Sequence, residues 1–467
     1  MQKTIFNVKF SKNQLKNRQF CIIILTMNSY IGKTYNVVTY GCQMNVHESE
    51  KIRGILASLG MNEIDSVEQA DVVVFNTCCI REGAEDRAFN NVIALKHIKE
   101  QNPNKVIVMC GCMPQQKKGK YNLKEKLPFV DIIIGTHNIN SLAKYLLMLA
   151  VKHEQIVDII ESPTSSMDYD LCIRDDKINA YVNIIYGCNK FCTYCIVPYV
   201  RGREKSRPVK EIYNEVKDLV QNQGYKYITL LGQNVNSYGK DLKDKTSFSE
   251  LLTYLCSIEG DFKIKFMTSH PMDFGDDLIR VMKKEDKVAK ALHLPVQSGS
   301  SRILAKMNRH YDYKHYMTAI KKVKRAIPNI SLSTDIIVGF PGETEKDFNQ
   351  TLKLIKKVKY DQVFAFMYSK RTGTPAATFP DQIDEKEKNI RVNKLLRLQK
   401  IIQKDQLKKY FKKTYDCLIK QINGVAVGIT DGGKEIYIPN YKFVNLNYFA
   451  RVKVEDIRNH KLSGVIK

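Results

Sequence analysis

No apolar run in this chain approaches the ~20 residues that a membrane-spanning helix requires; stretches such as 21–25 and 72–75 are far shorter. The cysteine density of a disulfide scaffold is missing too. Twelve cysteines are spread over 467 residues, and seven of them crowd into three tight groups. With 24 Gly and 13 Pro the chain is not low-complexity. Lys3, Lys9, Lys12, Lys16 and Arg18 precede a minimal apolar stretch, but no small-residue cleavage site follows. Residues 1–34 therefore read as a disordered or mis-called extension, with a true start at Met27 or an organellar leader as the alternatives. Acid is also in short supply: 74 Lys and Arg face 49 Asp and Glu, a formal charge of +25. Such an excess favours a polyanionic partner, because each basic group at a phosphate releases a condensed counterion. A Lys-rich surface background gives the same sign. With neither membrane span nor signal, the expected compartment is the reducing cytoplasm, where grouped cysteines point to metal or redox chemistry.

What is present alternates. Residues 36–40, 71–75, 105–109 and 130–134 are short β-branched runs, separated by helical patterns at 47–59, 82–99 and 141–149. Apolar strands between helices predict a parallel sheet covered on both faces, a doubly wound α/β domain over 35–160. Turn chemistry opens 161–177, a linker. A second series over 178–385 has strands at 181–185, 227–231, 263–267, 291–295, 331–338 and 362–368 with helices between them. Six strands are too few for a closed eight-stranded barrel, so a partial (β/α)6 barrel is expected. A basic connecting helix covers 386–404. Short strands and turns at Asn423-Gly424 and 431–433 then predict a small β-barrel over 405–467, carrying 12 Lys and Arg against 6 Asp and Glu.

The sharpest local signal is Cys188-x3-Cys192-x2-Cys195, directly after the first barrel strand. Three thiolates at this spacing can wrap one face of a 4Fe–4S cubane and leave the fourth iron open to a small molecule. Zinc, the rival, wants four closed ligands, and no fourth Cys or His lies nearby. A second constellation is dispersed: Cys42 follows the first N-terminal strand, Cys78 and Cys79 the second, Cys110 and Cys112 the third. Ligands of doubly wound sheets sit outside the carboxyl ends of strands, so one thiolate from each end can converge. Position alone separates neither Cys78 from Cys79 nor Cys110 from Cys112.

The loop 187–204 (GCNKFCTYCIVPYVRGRE), with Tyr194 before its last cysteine, resembles the signature of radical S-adenosylmethionine enzymes. Residues 39–45 (TYGCQMN), 76–78 (NTC) and 111–112 (GC) resemble the N-terminal domain of the methylthiotransferases within that superfamily. Residues 230–239 (LLGQNVNSYG), 268–271 (TSHP), 293–300 (HLPVQSGS), 307–309 (MNR), 333–343 (STDIIVGFPGE) and 368–377 (YSKRTGTPAA) extend the likeness to the branch that acts on isopentenylated tRNA. Pro114-Gln115 departs from the family's usual Ala-Gln after the third motif. The basic end resembles the TRAM domain, an RNA-binding module. The resemblance implies a second 4Fe–4S cluster on Cys42, Cys78 and Cys112, leaving Cys79 and Cys110 as neighbours. It also implies two S-adenosylmethionine molecules, one donating a methyl group to sulfur and one yielding a radical, so that a methylthio group reaches C2 of N6-isopentenyladenosine beside the anticodon.

Other residues are assigned on thinner grounds. Gln233 and Asn234, Gln297 and Ser298, and Asp335 end successive strands, where they can reach the cofactor's amino acid, ribose or adenine. Tyr199 is placed to stack on an RNA base, and Arg201, Arg203 and Arg207 to meet phosphates. His270 and His293 sit at strand ends and are given no role. Expected partners are the tRNA anticodon arm and an electron donor such as a flavodoxin or ferredoxin, with no membrane, for a monomer. Competing readings are methylthiolation of threonylcarbamoyladenosine in tRNA, a radical RNA methylase that needs no N-terminal triad, and a non-enzymatic iron–sulfur RNA-binding protein.

Overall fold

Residues 28–79, 82–116, 121–161, 172–422, 424–439, 441 and 447–467 are described in the computed structural model of the chain. They fall into two compact units, Met1–Asp175 and Asp176–Lys467.

In the first unit the β-branched runs form strands β1 (Thr34–Thr39), β2 (Asn62–Glu63), β3 (Val72–Thr77), β4 (Val106–Gly111), β5 (Ile132–Ile134) and β6 (Ile156–Asp158), all parallel, in the order β2-β1-β3-β4-β5-β6. Side chains alternate between faces. Val72, Val74 and Val108 pack with Ile52 and Leu56 of the helix Gln43–Ser58, while Val73, Ile107 and Met109 pack with Phe89 and Val92 of the helix Glu82–Ala94. Two apolar faces explain why these strands carry no polar alternation. The strand order reverses between β1 and β3, which opens a crevice at their carboxyl ends.

Three sequence expectations change here. Residues 28–34 belong to the domain: Tyr30 is buried in the core and donates from its hydroxyl to Leu146 O at 2.9 Å. The end of the expected linker is anchored: Ile173 N donates to Glu50 O at 2.9 Å, and Arg174 pairs with the buried Glu50 carboxylate at 3.0 Å. The pattern at 82–99 is two helices, Glu82–Ala94 and Lys96–Gln101, with edge strands β2 and β6 too short and too mixed to carry a sequence pattern. Residues 1–27, most of 161–171 and Asn423 lie outside the described residues.

In the second unit β7 (Asn179–Asn183), β10 (Tyr227–Leu231), β11 (Lys263–Phe266), β12 (Ala291–His293), β13 (Ser331–Val338) and β14 (Gln362–Met367) run parallel in sequence order. They pair as two three-stranded arcs, β7-β10-β11 and β12-β13-β14, and Val288 bridges to Ile264 across the gap. Among the described residues β14 does not pair with β7, so the barrel stays partial. A short antiparallel pair, β8 (Ile185–Tyr186) and β9 (Lys205–Ser206), pins the two ends of the cysteine loop together. The helix Glu385–Leu407 leads into a closed barrel of β15 (Thr414–Ile422), β16 (Val425–Thr430), β17 (Glu435–Ile438), β18 (Phe449–Arg458) and β19 (Lys461–Ile466). That barrel docks on the amino ends of the parallel strands. Asp431 Oδ2 accepts from Lys290 N at 3.2 Å and pairs with Lys263 at 3.7 Å, and Phe449 meets Tyr227 edge-on at 5.7 Å. No helix among the described residues is long and apolar enough to cross a membrane.

Candidate functional site

In the first unit three motifs deliver one cysteine each to the crevice at the strand ends, and their polar residues lace the three loops together. Cys42 follows β1 and caps the helix Gln43–Ser58 with its carbonyl, which accepts from Asn45 N and Val46 N. Asn45 Nδ2 donates to Thr77 O at 3.1 Å and Asn76 Oδ1 at 3.2 Å, while Asn76 Nδ2 returns a bond to Asn45 O at 2.9 Å. Thr77 Oγ1 donates to Cys110 O at 2.6 Å, and Cys112 N donates to Thr77 O at 2.9 Å. Two glycines make this closeness possible. A Cβ on Gly41 (φ +123°) would lie 2.6 Å from Cys78 Cβ, and one on Gly111 (φ +98°) would lie 2.4 Å from Thr77 O. Cys110, on β4, packs in the apolar core. Cys79 lies within hydrogen-bond reach of Cys112, which together with burial pushes its thiol well up.

In the second unit the loop between β8 and β9 carries Cys188, Cys192 and Cys195 close enough to act on one another's charge. Burial pushes the thiol of Cys188 to about 11 and that of Cys195 to about 12. Buried thiolates are tenable only beside positive charge, which a cluster core supplies. Among the described residues no three His, Cys, Asp or Glu side chains are arranged to hold a single metal ion.

The loop is gripped by the end of the helix Ser301–Lys306. Thr193 N donates to Met307 O at 3.1 Å, Thr193 Oγ1 to Lys306 O at 2.9 Å, and Asn308 Nδ2 to Phe191 O at 3.0 Å. Arg309, 5% exposed, donates to Cys192 Sγ at 3.2 Å, Tyr311 Oη at 3.0 Å and Pro295 O at 3.1 Å. Lys190 pairs with Asp273 at 2.6 Å, and Asp273 also accepts from Asn234 Nδ2 at 2.7 Å. Burial alone would raise the Asp273 carboxyl, but the hydrogen bonds from Lys190, Lys240 and Asn234 hold it down at about 2.

Among the described residues, the buried polar atoms Asn234 Oδ1, Ser269 Oγ, His270 Nε2 and Gln297 Oε1 near this loop have no hydrogen-bond partner. They sit beyond β10, β11 and β12, at the carboxyl ends where a parallel barrel binds its ligand. Their mix of acceptors and donors fits the amino, carboxylate and ribose groups of S-adenosylmethionine. His270 Nδ1 accepts from Met272 N at 3.3 Å. Burial, with Arg309 and Lys190 nearby, drives its pKa to about 2, so the ring is neutral with its proton on Nε2. Gln297 holds a left-handed φ of +71°, and its N donates to Asp335 O at 2.9 Å. Asp335 Oδ2 lies 3.5 Å from His293 Nε2. Gln233 is half-buried beside Asn234.

Three expected site residues are more buried than the sequence suggests. Ser298 is fully buried, and its hydroxyl accepts from Ser300 N at 3.2 Å within the turn. Arg207 is buried, donating to Asn183 O at 2.8 Å and pairing with Glu215 at 2.7 Å. Arg201 is buried as well, so neither offers its guanidinium to a phosphate. Arg203 is exposed and stacks over Phe191 at 4.4 Å, with the exposed Tyr199 edge-on to the same ring at 5.8 Å. Sequence reading quotes Asn308 and Arg309 only as part of the 307–309 motif and gives His270 no role. Their signal is position: a helix end and a strand end aimed at the cysteine loop.

Residues 182–355 match the family model described as Radical SAM superfamily, and residues 34–135 match one described as Uncharacterized protein family UPF0004. A tRNA-2-methylthio-N(6)-dimethylallyladenosine synthase of Clostridium botulinum (strain Okra / Type B1) is 51% identical over 93% of this chain and 97% of that relative. A synthase of the same name from Thermoanaerobacter sp. (strain X514) is 50% identical over 89% of this chain and 88% of its own length. Among solved structures, the radical S-adenosylmethionine methyltransferase TsrM from Kitasatospora setae aligns with a TM-score of 0.55 at 10% identity, covering 74% of each chain, a likeness of fold.

Proposed function

The chain belongs to the tRNA-2-methylthio-N(6)-dimethylallyladenosine synthases, and from that membership we propose that it adds a methylthio group to C2 of N6-isopentenyladenosine beside the tRNA anticodon. The observation that carries this reading is identity of about half over nearly the full length of relatives so named. Cys188, Cys192 and Cys195 hold one 4Fe–4S cluster, and Cys42, Cys78 and Cys112 hold a second. When bound, the clusters and S-adenosylmethionine supply the radical and sulfur chemistry that replaces hydrogen on an unactivated aromatic carbon, a step beyond any protein acid, base or nucleophile.

The chain's own residues orient and shield. Gln233, Asn234, Gln297 and Asp335, together with Ser269 and His270, offer polar groups to S-adenosylmethionine. The Lys190–Asp273–Asn234 chain of bonds ties the cysteine loop to that subsite, so loop and cofactor share one geometry. Tyr199, Phe191 and Arg203 form an exposed ledge suited to stacking on a base and meeting a phosphate. The partners are the anticodon arm and a one-electron donor of the flavodoxin or ferredoxin type, for a cytoplasmic monomer.

The test is mass spectrometry of tRNA nucleosides from a deletion strain. Loss of the methylthio-isopentenyl species, restored by this chain, is the expected result; loss of the threonylcarbamoyl species instead overturns the substrate. Reconstituted protein is expected to hold about eight irons, and Cys188→Ala to abolish 5′-deoxyadenosine formation under reduction.

A further inference from the structure

Arg309 is a buried cation whose partners among the described residues include no carboxylate. Nε donates to Tyr311 Oη at 3.0 Å, and one terminal nitrogen donates to Pro295 O at 3.1 Å. The other terminal nitrogen lies 3.2 Å from Cys192 Sγ and 3.5 Å from Tyr194 Oη. Its plane also faces the Tyr311 ring at 5.2 Å. Burying a guanidinium among phenols and a carbonyl is costly unless an anion completes the set, and the only group here that can become one readily is the thiol.

The position is built in. Asn308, in a left-handed turn at φ +58°, reaches the carbonyls of Lys190 and Phe191, so the segment that carries Arg309 also grips the cysteine loop. Three thiolates outweigh the positive charge of a cubane core, so the cysteine-held cluster is a net anion, and one-electron reduction adds another negative charge. Hydrogen bonds to ligand sulfur and nearby charge are among the levers that set such a potential.

We propose that Arg309 is the fixed counter-ion of the cluster on Cys188, Cys192 and Cys195, and that its N–H donation to the Cys192 sulfur raises that cluster's reduction potential. Reduction there is eased because the added charge arrives beside a cation that is already desolvated and oriented. This rests on the reading of that loop as a cluster site.

The test is a redox titration with dithionite, read by electron paramagnetic resonance. Full-length protein carrying Cys42→Ala, Cys78→Ala and Cys112→Ala leaves a single cluster to report. A low-potential cubane signal in this background upholds the cluster reading on its own, and its absence overturns that reading. Arg309→Met is expected to lower the reduced-to-oxidised ratio at a fixed potential about tenfold, a 59 mV negative shift for a one-electron couple. Arg309→Lys keeps the charge and is expected to recover part of the shift. If Arg309→Met holds no iron, Arg309→Gln, which keeps an N–H donor without the charge, carries the measurement with the same expected sign. A midpoint unchanged or more positive in whichever neutral variant loads iron, beside a normal signal in the parent, overturns the role of Arg309 while leaving the cluster reading intact.

Discussion

Cys78 and Cys79 are adjacent, both buried, and both near a neighbouring thiol, yet they sit differently. Cys78 lies against Gly41, at the loop that presents Cys42, whereas Cys79 faces Cys112. If Cys78 is the ligand, Cys78→Ala is expected to halve the iron of the reconstituted protein, and Cys79→Ala to leave it near the parent value. The reverse pattern would reassign the ligand. The motif residues around these cysteines are legible as strings, but their work is not. Asn45 and Asn76 are 31 positions apart and exchange amide hydrogen bonds only because β1 and β3 are sheet neighbours. The same holds for Arg201, Arg203 and Arg207, which read alike as basic residues after a loop. Only the fold shows that two are buried and one stacks on Phe191.

At the scale of elements the strands read cleanly where every residue is buried, as at β3, β4 and β10, because burial on both faces makes the run mostly apolar with no alternation. They read poorly at β2, β6 and β8, which are two or three residues long and held by pairing, not by composition. Lys265, on β11, shows a cost that no pattern reveals. It is half-buried beside the docked C-terminal barrel, with its ammonium 3.6 Å from the centre of the Tyr227 ring. Desolvation lowers its pKa to about 8. The native state therefore binds this proton more weakly than the unfolded chain, and stability rises with pH between about 8 and 10.5. Below that window the penalty is constant, on the order of 3 kcal/mol, offset by about 1 kcal/mol of cation–π attraction. Lys265→Met is thus expected to stabilise the protein by about 1–2 kcal/mol at pH 7, with the gain shrinking as pH climbs past 8. Urea unfolding under reducing conditions at both ends of that range reads it; a loss at pH 7, or a gain that ignores pH, would sink the argument.

Across the whole molecule the charge of +25 divides into cations that serve the fold and cations that face solvent. Arg207, Arg309 and Arg391 belong to the first kind: each is buried and bonded within its own unit. Lys412, Lys413 and Arg451 belong to the second, exposed on the C-terminal barrel, with Lys412 over the ring of the exposed Phe411. The barrel meets the amino ends of the parallel strands, whereas the cysteine loop lies at their carboxyl ends. Its exposed cations stand apart from the cysteine loop and are suited to attracting and holding a polyanion. Every phosphate that is no longer neutralised should reduce the slope of log affinity against log salt by roughly 0.7–0.9. Replacing Lys412, Lys413 and Arg451 together with Glu is expected to weaken tRNA binding for every tRNA alike and to flatten that slope by roughly 2 to 3, while cluster content stays at the parent value. Binding isotherms across a salt series read the effect, and an unchanged slope would place the RNA-holding charge elsewhere on the chain.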